Sequence, residues 1–207
     1  MRPFPGLKTV NSKAFDNMTD TMMGLVDGWV WYGSHSVDEL DEQIDADFED
    51  GQDFDIERVK AYAATVLRDK RADEADWPPV TDCDRLDRAF DRLRAQGLCV
   101  VQFPESGYTM QHGEAAVVAA MNAEDAPPEG YTGCCFYHAQ DIDNALNGEG
   151  LWLAFGSLES DEDEDDVRVG RLVCEALNHE GLQTEWNGTR RHRIRLPRLR
   201  WQRRTPN

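Results

Sequence analysis

Apolar side chains recur at helical spacing in three stretches near the start of the chain, which predicts three amphipathic helices. The stripes fall within residues 22–30, 37–48 and 56–67. Ser36 and Glu39 have the spacing of a capping box and predict where the second helix begins. Residues 1–18 show no sustained period and are predicted to form a loose arm. We therefore expect an acidic helical segment over residues 19–76.

Trp77-Pro78-Pro79 breaks the helical pattern, and strand and helix patterns alternate from there onward. Apolar runs predict strands over residues 98–103, 131–138 and 151–155. Helices are predicted from Thr81, over residues 115–121, from Asp141 and after Asp163. These segments predict an α+β domain over residues 77–204, with a mainly antiparallel sheet of four or five strands and helices packed on one side.

Asn187-Gly188 stands between two strand patterns, which is the preferred sequence of a two-residue hairpin turn. In the return strand, apolar and basic residues alternate, so one face is predicted to be buried and the other basic. Pro197 within this stretch predicts an edge strand or a bulge. The apolar set is Ile194, Leu196, Leu199 and Trp201, and the basic set is Arg193, Arg195, Arg198 and Arg200.

The chain of 207 residues carries a formal charge of −18, from 40 acidic and 22 basic residues. Such a charge repels nucleic acid and anionic membranes at long range, so nucleic acid is an unlikely partner. The C-terminal arginines are the local exception, since no acidic residue follows Glu185. Either they lie beside acidic surface of their own fold, or they bind an anionic ligand or partner. Arg193, Arg195, Arg198 and Arg200 are the candidate binding residues.

Neither a membrane-spanning apolar run nor a cleavable leader is evident, so the expected location is cytoplasmic. The five cysteines are scattered and odd in number, which indicates reduced thiols. Cys134 and Cys135 are neighbours in a predicted strand and point to opposite faces, so they are not expected to share a metal ion. The sequence predicts no metal site and no cofactor.

Several motifs together resemble an uncharacterised bacterial family that is classed only as a domain of unknown function. They are Thr81-Asp-Cys-Asp-Arg-Leu-Asp87, Gly130 to Asp141, Gly150 to Gly156, and Gly181 to Gly188 with Arg193 to Pro197. The resemblance covers about residues 20–204 and implies an architecture but no reaction. Relatives have a cysteine cluster after the first strand, where this chain reads Phe103 to Gly113 without cysteine. A metal or redox role for that cluster would therefore be missing here.

The best candidate for chemistry is the end of the second strand, where Tyr137, His138 and Asp141 occur together. Strand ends are common places for site residues, and a carboxylate can orient an imidazole. Each residue also has a simple structural explanation, with Asp141 as the helix N-cap and His138 as an ordinary strand-end residue. The chain has no phosphate-binding Gly-rich loop and no Gly-x-Ser-x-Gly elbow.

Two functions follow as expectations. The first is a non-enzymatic protein that binds another protein in a regulatory or adaptor role, through its acidic helical half and its basic C-terminal strand. The alternative is an enzyme of unassigned chemistry with a pocket near Tyr137, His138 and Asp141, in which Arg193 or Arg195 holds an anionic substrate.

Overall fold

The structure, a computed structural model, describes residues 18–49, 54–105 and 107–206. These residues form two compact units: residues 18–79 with 202–206, and residues 80–201. The first unit is therefore formed by two separate segments of the chain, because residues 202–206 follow the second unit in sequence but belong to the first. The predicted loose arm over residues 1–18 lies outside the described residues, except for Met18.

The first unit contains the three predicted helices, α1 (Met18–Tyr32), α2 (Val37–Glu49) and α3 (Ile56–Glu74). The predicted capping box starts α2: Ser36 N donates to Glu39 Oε2 over 2.7 Å, and Glu39 N donates to Ser36 Oγ over 3.3 Å. The predicted apolar stripes meet in one core. It includes Val26, Leu40, Ile44, Val59 and Ala63, all almost fully buried.

A buried lysine and the end of the chain complete this helical unit. Lys70 is fully buried, donates to Val30 O over 2.8 Å, and lies 3.6 Å from Glu74 Oε1. The same Glu74 oxygen accepts hydrogen bonds from the backbone N and the hydroxyl of Thr205, over 2.8 and 2.9 Å. Glu74 thus joins the C-terminal segment to α3.

The second unit alternates helices and strands around a sheet of four strands in the order β1-β2-β3-β4. Its elements are α4 (Asp82–Arg94), β1 (Leu98–Val101), α5 (Met110–Met121), β2 (Gly133–Phe136), α6 (Ala139–Leu146), β3 (Leu151–Ser157), α7 (Asp163–His179) and β4 (Ile194–Leu196). The predicted α+β class is confirmed.

The sheet is mixed rather than purely antiparallel, because β1 and β2 run parallel. The pairs β2–β3 and β3–β4 are antiparallel. The long connection through α5 explains the parallel pair, since a crossover helix returns the chain to the same end of the sheet. Periodicity predicts the strands themselves but does not report the direction in which they pair.

Helices pack on both faces of the sheet, whereas the sequence predicts helices on one side. On one face, α7 comes so close that a Cβ added to Gly170 would lie 2.8 Å from the Phe155 ring. On the other face, Val117 of α5 packs in a cluster with Cys99, Phe136 and Ala154. Because α5 carries small and apolar residues around most of its circumference, its sequence does not reveal which side it covers.

The predicted two-residue hairpin at Asn187-Gly188 is wrong. Glu185 forms an isolated bridge with Arg195, so the connection that closes there runs from 186 to 194. Within it, the indole N–H of Trp186 donates to the carbonyl oxygens of Thr189 and His192, each over 3.0 Å. Asn187 Oδ1 accepts from Thr189 N over 3.1 Å. These side-chain hydrogen bonds satisfy the backbone of a longer loop, in competition with a tight turn.

Candidate functional site

His138 and Asp141 occupy the junction between β2 and α6. His138 is the N-cap of α6, and its backbone N donates to Asp141 Oδ2 over 3.0 Å. Asp141 is predicted as the N-cap, but it stands at the third helical position and accepts this hydrogen bond as the acidic member of a capping box. The predicted N-cap at Asp141 is therefore wrong, because His138 occupies that position and the helix begins at Ala139, earlier than expected.

Arg193 brings a positive charge to the same carboxylate. Its Nη2 lies 2.6 Å from Asp141 Oδ2 and donates to Trp152 O over 2.9 Å. The Asp141 side chain is only 2% exposed, and that of Arg193 is 29% exposed. The two hydrogen bonds connect α6, β3 and the residue that precedes β4, so the pair acts as a structural tie.

The imidazole of His138 is buried next to this pair. Its Nδ1 lies 3.2 Å from Asp141 Oδ2 and has no hydrogen-bond partner among the described residues. Burial lowers the pKa of His138 below its usual 6.5, and Arg193 lowers it further, against the opposing effect of Asp141. The ring is therefore neutral near pH 7.

Tyr137 is placed in the core. Its ring stacks with Phe90 at a centroid distance of 6.1 Å and meets Trp201 edge-on at 5.6 Å. Its hydroxyl lies 3.0 Å from the side-chain amide of Gln102. Tyr137 and His138 are both buried and pack the junction between β2 and α6. A general base must lie within hydrogen-bond reach of the substrate proton that it removes, and burial does not favour that role for these two side chains.

Three C-terminal arginines lie against acidic or carbonyl groups of their own unit. Besides Arg193, Arg195 donates to Glu149 O through Nε and Nη2, pairs with Glu185 over 3.2 Å, and lies 5.0 Å from the Trp152 ring centroid. Arg190 pairs with Asp163 over 2.9 Å. Arg198 and Arg200 are exposed instead. The contacts of Arg190, Arg193 and Arg195 therefore agree with the first of the two interpretations, in which the C-terminal arginines lie beside acidic groups of their own fold.

The cysteines of β1 and β2 lie in apolar surroundings. Cys99 and Cys134 are partners in the parallel register and point to the face covered by α5. Burial raises the pKa of Cys134 to about 12, and it also raises the pKa of Cys135. Both thiols are therefore protonated at neutral pH and are poor nucleophiles.

The described part of the chain lacks two kinds of feature, a cluster of metal ligands and a helix that could span a membrane. Over residues 18–49, 54–105 and 107–206, no group of three or more His, Cys, Asp or Glu side chains is arranged to hold a metal ion. No helix within these ranges combines the length and the apolar character needed to cross a membrane.

The outer face of α2 is a dense acidic surface. The helix contains seven acidic residues and no basic one. Leu40 and Ile44 point into the core, while Asp38, Glu39, Asp41 and Glu42 are exposed. None of these four makes an ion pair within the described residues; Asp45 next to them pairs with Lys60 over 2.6 Å.

A basic surface on α4 is not among the residues that the sequence singles out as candidates. Arg85, Arg88 and Arg92 lie three and four positions apart and share the side of α4 that faces solvent. Their spacing is visible in the sequence, but acidic residues are interspersed with them, so the stretch has no obvious charge pattern. The basic row becomes visible only when the helix places these three arginines next to one another.

Comparison with known proteins gives one result. A family model described as a domain of unknown function, DUF6891, matches residues 16–205. The chain belongs to this family. The DUF6891 match spans both units, so the helical part and the α+β part are covered by one family model, and the expected membership in an uncharacterised family is confirmed. No curated protein and no solved structure matches the chain significantly.

Proposed function

We propose that this DUF6891 protein is a cytoplasmic protein-binding protein with a regulatory or adaptor role, and that it contacts a cationic partner through the outer face of α2. The observation that carries the proposal is the set of four exposed carboxylates, Asp38, Glu39, Asp41 and Glu42, none of which forms an ion pair within the described chain. Ordinary acidic surfaces are interspersed with basic side chains, and α2 has none.

The charge of the surrounding unit supports this choice. Residues 18–79 and 202–206 together contain 17 acidic and seven basic residues. A concentrated negative potential accelerates association with a cationic surface and repels anionic ones. The partner is therefore expected to present lysine and arginine side chains.

An exposed aromatic residue lies at the end of the same helix. Phe48 is 42% exposed, and its ring meets the buried Phe54 edge-on at a centroid distance of 5.5 Å. A large apolar side chain held beside carboxylates offers a partner both desolvation and charge pairing. We expect a basic segment that also carries at least one apolar side chain.

Isothermal titration with a lysine- and leucine-containing peptide tests the proposal. A variant that combines D38N, E39Q, D41N and E42Q should bind at least about tenfold more weakly, because it removes the local charge and keeps a capping side chain at residue 39. The matched control combines E105Q, E124Q, D125N and E129Q, which removes the same charge from exposed positions of the other unit. Equal losses in both variants would show that net charge alone determines binding, contrary to the proposal.

A further inference from the structure

The α+β unit has a basic surface of its own, formed by α4 and the residues that follow β4. We propose that this surface docks a carboxylate-rich segment of a partner protein. We call it the arginine surface, and it consists of Arg85, Arg88, Arg92, Arg198 and Arg200. It belongs to a different unit from α2 and binds the opposite charge, so the inference stands apart from the function proposed above.

The geometry of α4 puts its arginines together. Leu86, Ala89, Phe90 and Leu93 are fully buried and fix which side of the helix faces inward. The side chains of Arg85, Arg88 and Arg92 follow one flank of the solvent-facing part of the helix and are 41–49% exposed. Residues three and four apart on a helix are neighbours, so the three guanidinium groups form one row.

The segment after β4 extends this row at the start of α4. Asp82 makes the connection, because its Oδ2 accepts from Arg200 N over 3.1 Å while its Oδ1 accepts from Arg85 Nη1 over 3.2 Å. Leu199 and Trp201 are buried, and the side chains of Arg198 and Arg200, which alternate with them along the segment, face solvent. Neither of these two guanidinium groups makes an ion pair within the described residues.

The positive charges of the arginine surface exceed its negative charges. Glu180 is shared: its two oxygens lie 2.9 Å from Arg88 Nε and 3.5 Å from Arg92 Nη2. Asp82 is the acidic partner of Arg85. Asp91, at the edge of this side of α4, pairs instead with Arg94 over 2.9 Å. Asp84 lies four residues before Arg88 on the same helix, and its Oδ2 accepts from Thr81 N over 2.7 Å. Five guanidinium groups therefore face three carboxylates, in a chain whose formal charge is −18.

The shared carboxylates also order the surface before any partner arrives. Glu180 holds two of the arginines and Asp82 holds a third, which reduces the side-chain entropy that binding would otherwise cost. Each guanidinium keeps further N–H donors for a second acceptor, and its planar fork matches a carboxylate. The row is thus suited to carboxylates repeated along a peptide.

The charge of the whole chain favours an acidic protein segment over nucleic acid. A duplex carries one negative charge for about every 1.7 Å of its length and extends well beyond the row, so it would bring its phosphates near the acidic remainder of the protein. A peptide with four or five carboxylates covers the row and nothing more. Local complementarity can then prevail over long-range repulsion, which salt screens within about 10 Å.

A labelled glutamate-rich peptide provides the direct test, with fluorescence anisotropy measured on the full chain over a series of salt concentrations. The variant R85Q/R88Q/R92Q should bind at least about tenfold more weakly than the wild type, as expected for loss of three charge-assisted contacts. The control R168Q/R171Q/R191Q removes the same charge from exposed arginines elsewhere in the unit, and its affinity should stay within about twofold. Wild-type affinity should fall as salt rises.

A second variant covers the case in which loss of the Glu180 contacts prevents folding. R198Q/R200Q leaves the side-chain ion pairs of α4 intact and should still weaken peptide binding by a factor of at least about three. The proposal would be overturned if the wild type did not bind the peptide, if the control lost as much affinity, or if an oligonucleotide of the same charge bound more tightly. Salt-sensitive self-association abolished by R85Q/R88Q/R92Q would also overturn it, since the occupant would then be a second copy.

Discussion

Arg193 Nη2 lies 2.6 Å from Asp141 Oδ2, and the same nitrogen donates to the backbone oxygen of Trp152. Through these contacts one side chain joins the start of α6, strand β3 and the entry to β4. The carboxylate that the sequence offers as a group to orient a catalytic imidazole therefore holds the sheet and its neighbouring helix together. His138 lies beside this ion pair with a neutral ring.

Replacing Arg193 by Gln should lower the free energy of unfolding by about 3 kcal/mol, because it leaves the carboxylate of Asp141 buried without its counter-charge. Arg195→Gln is the matched control. Its side chain is more exposed, pairs with an exposed Glu185 and donates to Glu149 O. Its loss leaves no buried charge unpaired and should cost only about 1–2 kcal/mol. Urea unfolding monitored by tryptophan fluorescence measures both. Equal and small losses would contradict a structural role for the Asp141–Arg193 pair.

The stability of the protein should depend on pH through His138. Burial lowers its pKa in the folded state, so the unfolded chain binds more protons once the pH falls below about 6.5. The stability present above that pH is lost progressively until the pH reaches the lower, folded-state pKa. Between pH 7 and 5, the His138→Asn variant should therefore lose less stability than the wild type.

His35 contributes in the same direction, because burial lowers its pKa as well. The variant H138N should accordingly retain a weaker dependence on pH, and H35N/H138N should reduce it further. Thermal unfolding at half-unit pH steps provides the comparison. If H138N and the wild type lose the same stability over this range, then burial does not shift the titration of His138 between the folded and unfolded states.

Two glycines in helices should respond oppositely to alanine. In α7, a Cβ on Gly170 would lie 2.6 Å from Trp186 and 2.8 Å from Phe155, so Gly170→Ala should cost about 1–3 kcal/mol through overpacking. In α1, a Cβ on Gly24 would meet nothing within 4 Å. Gly24→Ala should therefore stabilise by about 0.5–1 kcal/mol through helix propensity. A stabilising Gly170→Ala would show that Trp186 is not seated on α7.

The thiol of Cys134 should resist alkylation although it is only partly buried. Its pKa is raised to about 12, mainly by burial, so at pH 8 its thiolate fraction is on the order of a thousandfold below that of a free cysteine. Mass spectrometry after iodoacetamide treatment should show modification of Cys134 in guanidinium and very little in the native protein. Rapid modification of the native protein at this residue would reveal a thiolate that the apolar surroundings do not explain.

The helices and the alternation of buried and exposed residues could be predicted from the sequence, because both depend on local spacing. Ile194 and Leu196 are buried as predicted, and Arg198 and Arg200 are exposed. The sequence predicts a tight hairpin at Asn187-Gly188 that is absent, because the indole N–H of Trp186 donates to the carbonyl oxygens of Thr189 and His192 in a longer loop. The parallel pairing of β1 with β2 likewise depends on where α5 returns the chain.

At the candidate site, too, the sequence identifies residues but does not predict the contacts between residues that are far apart in the chain. His138, Asp141 and Arg193 are all identifiable from residue type, but their relation is not, because Arg193 is 52 residues from Asp141 in the chain. The row formed by Arg85, Arg88 and Arg92 follows from helical spacing alone. What the sequence could not provide is the excess of positive charge there, which depends on Arg88 and Arg92 sharing Glu180 and on the contact that brings Arg200 to the start of α4.

The proposed role of α2 is tested most directly by affinity capture from a nuclease-treated lysate of the source organism, with the wild type compared with the variant D38N/E39Q/D41N/E42Q. We predict a stoichiometric protein partner that salt elutes, that the variant loses, and that the control E105Q/E124Q/D125N/E129Q retains. A partner held equally by all three proteins would remove α2 from the interface. Retention of small molecules alone would contradict a protein-binding role and favour an enzyme.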